Sequence, residues 1–108
     1  MNSRNKGKRG ELEAAALLKE HGYEGARRGQ QYSGGANSPD VCGVPGLSIE
    51  CKRVEALQLY PALAQARRDA GDAGSIPVVL HRRNGSEWVA ILRADDFLDI
   101  WKRSRELW

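Results

Sequence analysis

Apolar and polar residues alternate with different periods along the chain, and each change of period marks an element boundary. From about Gly10 to His21 the residues are mainly Ala, Leu, Glu and Lys, which favour a helix, and Gly22 follows as a stop signal. Residues Glu24 to Gln31 fit a short polar strand, and Tyr32 to Pro39 reads as a turn-forming loop. Two short strands follow, Asp40 to Val44 and Leu47 to Arg53, joined by a tight turn at Pro45-Gly46. A second helix is expected from about Leu59 to Ala70. Pro61 falls in its first turn, and Leu59, Leu63, Ala66 and Ala70 form an apolar stripe. Ile76 to His81 is an apolar strand, and Trp88 to Leu92 pairs with it through the turn at Asn84-Gly85. Asp95 and Asp96 suit the first turn of a last helix that carries Phe97, Leu98 and Trp101.

The order is about α-β-β-β-α-β-β-α, which predicts an α/β fold with a mixed β-sheet flanked by helices. A chain of 108 residues makes a single domain, 1–108, with one core. Hydrophobic residues at 41% and charged residues at 29% exclude a disordered chain. No apolar run approaches the roughly 18 residues that a membrane span needs. Met1 to Gly10 is polar and basic, unlike a secretory signal. A cytoplasmic protein with no membrane partner is therefore expected. Cys42 and Cys51 have no second Cys or His pair nearby to build a zinc site. Both read as small buried hydrophobes.

The net charge of +3 points only weakly to a nucleic-acid partner, but its distribution says more. Arg4, Lys6, Lys8 and Arg9 precede any acid, and Arg27-Arg28, Arg67-Arg68 and Arg82-Arg83 are adjacent pairs. Each pair read alone fits a solvated surface as readily as a binding site. Phosphate binding gains weight where such residues border a catalytic site.

Asp40, Glu50 and Lys52 suggest where that site lies. Residues two apart on a strand share a face, so Glu50 and Lys52 project together while Ile49 and Cys51 face a helix-covered core. The Pro45-Gly46 turn folds Asp40 back beside Glu50. Two converging carboxylates and the Cys51 carbonyl make the oxygen-only ligand set that Mg²⁺ or Mn²⁺ prefers. Lys52 would then orient or deprotonate a water, or offset charge growing on a phosphate. A strand-borne E-x-K is commonly just a surface ion pair. The Pro39-Asp40 step at hairpin distance argues for more.

Glu11 is a separate indication. Ala14, Ala15 and Leu18 lie three, four and seven residues further on, so Glu11 extends an apolar helix face. A carboxylate there is costly unless paired or metal-bound. Glu13 projects toward the side of Glu20 and reads as solvent-exposed. The simpler reading of Glu11 is an acidic first-turn residue favoured by the helix dipole.

Taken together, the chain resembles PD-(D/E)XK nucleases, and among them the archaeal and phage Holliday junction resolvases. The likeness runs from Gly7-Lys8-Arg9-Gly10-Glu11 through Lys19-Glu20-His21-Gly22-Tyr23 and Arg27. It continues through Ser33-Gly34-Gly35, Pro39-Asp40-Val41, Ile49-Glu50-Cys51-Lys52 and Ile76-Pro77-Val78-Val79. The loop from Ser33 to Pro39 and the Asp40-to-Glu50 hairpin depart in length from the archaeal enzymes and fit phage-type relatives better.

The resemblance implies a restriction-endonuclease-like sheet and hydrolysis of DNA by metal-activated water. It implies Asp40, Glu50 and the Cys51 carbonyl as Mg²⁺ ligands, with Mn²⁺ substituting, and Glu11 joining through a water. Glu11, Asp40, Glu50 and Lys52 would form the catalytic set. Lys8, Arg9, Arg27, Arg28, Ser33 and Gly34 would meet DNA, Ser33 near the scissile phosphate. It also implies a homodimer that sets one site on each of two strands of branched DNA. The alternatives are the same chemistry on flaps, nicks or duplex DNA, and a non-catalytic DNA-binding module. Phe97, Trp101 and Trp108 are expected in the core, with a dimer surface as the competing reading.

Overall fold

A computed structural model of the chain describes residues 3–29, 39–72 and 74–107, with side chains from Gly7 onward. The elements follow as α1 (Ser3–Glu20), β1 (Arg27–Arg28), β2 (Val41–Cys42), β3 (Leu47–Lys52), α2 (Leu59–Ala70), β4 (Ile76–His81), β5 (Val89–Ile91) and α3 (Ala94–Glu106). The five strands form one sheet in sequence order. Its neighbours are antiparallel except β3 and β4, which run parallel because α2 carries the chain back across the sheet. The expected α/β architecture, a mixed sheet flanked by helices, is what the chain forms. No described helix is long and apolar enough to cross a membrane.

Burial follows from the layering. β4 is a central strand, so Val78, Val79 and Leu80 are buried in succession rather than alternately. On one sheet face Ala14, Ala15, Ala26, Val41, Ile49 and Leu80 pack together under α1. On the other face Val79 packs against Ala62 and Ala66 of α2. Methyl side chains keep α2 close to the strands.

Several boundaries differ from the sequence reading. α1 begins at Ser3 rather than Gly10, so Glu11 lies in mid-helix and is not a first-turn acid. Among the described residues of the expected polar strand only Arg27 and Arg28 find ladder partners, at Cys42 and Val41, while Gln30 and Gln31 lie outside the described residues. The buried stripe of α2 is Ala62, Ala66 and Ala70, with Leu59 exposed at the helix start and Leu63 half-buried. Three alanines and a parallel crossover rotate the helix away from its larger side chains. Both cysteines are free and half-buried rather than fully enclosed. The largest departure is α3, which buries none of its residues and leaves Phe97 and Trp101 exposed. They are not core. Trp108 lies outside the described residues.

The β2–β3 hairpin depends on Gly43. Its φ is +105°, and a Cβ added there would meet the Gly25 carbonyl oxygen at 2.4 Å and the Ala26 Cα at 2.6 Å. Gly46 in the same hairpin also has positive φ, +89°, but opens onto free space. Gly46→Ala should therefore cost only the conformational term of about 1 kcal/mol, and Gly43→Ala distinctly more. Urea midpoints of the two variants check this ordering, and equal losses would contradict the close approach.

Candidate active site

The hairpin sets the first two acids side by side. Val41 stands opposite Ile49, and the Asp40 N–H donates to the Ile49 carbonyl at 2.9 Å. One step further along the same register brings Asp40 beside Glu50. Asp40 is buried, and its Oδ2 accepts the Cys51 N–H at 3.0 Å. A backbone bond of this kind fixes the carboxylate relative to β3.

Glu50 is fully buried, and neither of its carboxylate oxygens meets a hydrogen-bond donor among the described residues. Its polar neighbours are themselves acids, Asp69 from α2 and Asp40 from the hairpin. Burial first, then contact with Asp69 and Asp40, pushes its carboxyl up to about 10. Without a cation the side chain is therefore an acid at neutral pH, able to donate its proton to an adjacent carboxylate. As a carboxylate it would have no hydrogen-bond donor among the described residues. An oxygen-only cluster of this kind fits a hard divalent cation.

Lys52 follows two residues later on the same face. Its Nζ donates to Oε1 of Gln65 at 3.0 Å. Lys52, Gln65 and Arg68 share the wall of a cavity of about 370 Å³ that Leu57, Pro61 and Ala62 complete on the apolar side. Two larger surface hollows, of about 570 and 560 Å³, lie beyond Arg67 and beside Trp88 and contain none of the expected catalytic residues.

Asp69 and Gln65 were not singled out in the sequence, although a signal was present. Gln65 lies three residues after Ala62, and Asp69 seven after Ala62 and three after Ala66. Both fall on the alanine face that packs on the sheet. A stripe anchored on Ala62 rather than on Leu59 would have found them.

The structure divides the expected residues between the two sheet faces. α1 packs on the face of Ile49, opposite the face that Glu50 and Lys52 share with α2. Glu11 is half-buried on that α1 side and pairs with Arg28, whose Nε donates at 2.8 Å. Glu13, expected in solvent, accepts from Arg53 at 3.3 Å and from Arg82 at 3.2 Å. These acids still act on the strand between the faces. The half-buried Cys51 thiol is pushed up to about 12, by burial first and then by Asp40, Glu11 and Glu13, against the opposing charge of Lys52. It stays protonated and inert as a nucleophile.

Of the basic residues, Lys8 and Arg9 are exposed on α1. Arg27 is exposed and donates to the Gly25 carbonyl at 2.9 Å. Arg28 is engaged with Glu11. Ser33 and Gly34 lie outside the described residues.

Among the described residues no group of three or more His, Cys, Asp or Glu side chains is arranged to hold a metal ion by itself. Magnesium commonly takes one or two carboxylates, keeps several waters and draws the rest of its shell from a substrate phosphate. Asp40 and Glu50 match that smaller demand. Comparison with family models, curated proteins and solved structures returns no match to the chain.

The shift at Glu50 has a consequence for stability. Its folded value is raised, so the stability it confers is complete below the ordinary carboxyl value of 4.5 and drains away as pH climbs toward about 10. In chelator, the melting temperature should fall steadily between pH 5 and 9, and Glu50→Gln should flatten that slope and melt higher at pH 8. Identical pH profiles for the two proteins in thermal melts would mean that Glu50 is not held protonated.

Proposed function

We propose that the chain is a magnesium-dependent endonuclease with a PD-(D/E)XK centre, acting on branched DNA as a homodimer. The observation that carries this reading is Glu50: a buried carboxyl without a donor, between two further acids and two residues from a lysine at a cavity wall. A structural ion pair would have joined Glu50 to Lys52, whose amine instead engages Gln65.

In this reading Asp40 and Glu50 hold the ion, with the Cys51 carbonyl on the strand between them. A bound Mg²⁺ supplies charge that offsets the phosphate and acidifies a water. Asp40 is kept in place by the Cys51 N–H. Asp69 faces Glu50 from α2 and supports the shell from outside. Lys52, steadied by Gln65, holds positive charge at the cavity where the phosphodiester would sit. It orients the water whose attack on phosphorus expels one ester oxygen. Glu11, paired with Arg28 on the opposite sheet face, would add negative charge at β3. Lys8, Arg9 and Arg27 extend the positive surface over which the backbone would lie, and Arg27 is the most accessible of the Arg27-Arg28 pair.

Cleavage of a synthetic four-way junction in Mg²⁺, beside flap, nicked and linear duplexes, tests the proposal. Paired symmetric cuts in the junction are the expected result. Cuts in the other substrates alone would keep the chemistry and remove the junction, while no cutting of any substrate would leave a binding module. Asp40→Asn and Glu50→Gln should abolish cutting yet retain DNA binding, and Asp40→Asn should tighten it, since it removes negative charge facing phosphate. Lys52→Ala should slow cutting by about a hundredfold or more. Normal rates in any of the three would refute the assigned roles. Arg27→Ala should weaken binding and lower the slope of log affinity against log salt by about one; an unchanged slope would take Arg27 off the phosphate path.

A further inference from the structure

α3 is amphipathic, yet none of the described elements packs along it and none of its residues is buried. Phe97 and Trp101 lie four apart on one face with Leu98 beside them, and they are 49%, 56% and 57% exposed. Ile100 and Leu107 flank them, also exposed. The exposed apolar surface on this one helix is on the order of 500 Å², as large as the largest patch on a typical monomer. An area of that size falls somewhat short of the roughly 800 Å² per partner of a standard interface, which the flanking polar residues would complete.

Charge along α3 identifies what fits it. Asp95, Asp96 and Asp99 occupy its first half, and Lys102, Arg103 and Arg105 its second, with Glu106 the one acid there. Arg93 reaches Asp95 at 3.2 Å and Asp96 at 3.7 Å from the helix start, and leaves the Asp95 side chain 81% exposed. Two copies of α3 laid antiparallel set the acidic half of each against the basic half of the other, with the aromatic faces between. A parallel pair would oppose acid to acid and base to base. The helix dipoles also favour the antiparallel arrangement.

We infer that α3 is a self-association surface, on which a second copy of this chain docks through an antiparallel, two-fold pairing of Phe97, Leu98 and Trp101. The inference rests on the homodimer of the proposed function and adds which face pairs and in what sense; the chemistry at Glu50 does not enter it.

Sedimentation velocity of the 108-residue chain across a concentration series up to about 100 µM tests it. The expected result is a concentration-dependent dimer. Trp101→Glu, and separately D95K/D99K, should raise the dissociation constant by at least about tenfold with unchanged far-ultraviolet circular dichroism. Trp101, Asp95 and Asp99 are all exposed, so neither variant threatens the fold. A wild-type chain that stays monomeric throughout overturns the inference, as does a dimer that survives both changes. A monomer that binds phospholipid vesicles through Trp101 overturns it in favour of a lipid-docking face. DNA cleavage does not enter the readout, so a monomer would remove the homodimer from the proposed function and leave the chemistry at Asp40 and Glu50 to the cleavage assay.

Discussion

A carboxyl group enclosed on all sides and faced by two other carboxyls is among the least favourable arrangements that a small core can hold. Glu50 is in that position, and the rest of the fold is organised around it. The parallel β3–β4 pair fixes its backbone, the β2–β3 hairpin delivers Asp40, and α2 delivers Asp69. Each element is well anchored on its own, by ladder bonds or by alanine packing, so the acids meet because stronger constraints bring them together. Protonation relieves the repulsion when no cation is near, and a divalent cation would relieve it better. Such a cluster contributes little to stability, which is why it points to chemistry.

The two faces of the sheet deal with charge in opposite ways. Under α1 the acids are paired: Glu11 with Arg28, and Glu13 with both Arg53 and Arg82. Half-exposed pairs of that kind add modestly to stability. Under α2 Glu50 faces two other acids, and the Lys52 amine is bonded to an amide. Both faces hang on the single strand β3, whose side chains alternate between them. Cys51 records the result, since its thiol lies on one face and still responds to Asp40 and Lys52 from the other side.

The order of elements and the placement of Asp40 beside Glu50, with Lys52 two residues on, were legible because they depend on local rules, namely alternation in β3, a turn at Pro45-Gly46 and helical periodicity in α2. The relations that depend on tertiary placement were not. Glu11 carries no mark that Arg28 will pair with it across seventeen residues. Glu13 looks solvent-facing until Arg53 and Arg82 arrive from distant strands. The orientation of α2 escaped because leucine weighs more than alanine in an apolar stripe, whereas close helix–sheet contact favours the smaller residue. Phe97 and Trp101 resemble core residues in any local window, and only the lack of an extended packing partner for α3 among the described residues distinguishes them.

The alanine face of α2 also sets a length. Ala62, Ala66 and Ala70 act as a spacer one methyl thick between helix and sheet, and Gln65 and Asp69 reach Lys52 and Glu50 only across that gap. The number of oxygen donors near Glu50 is thus tied to side-chain volume at positions that touch no ligand. If the cluster holds the proposed cation, a lineage could retune its affinity by exchanging alanine for glycine or serine in the spacer, with every acid left in place. Selection on the chemistry would then be recorded in the smallest residues of the helix.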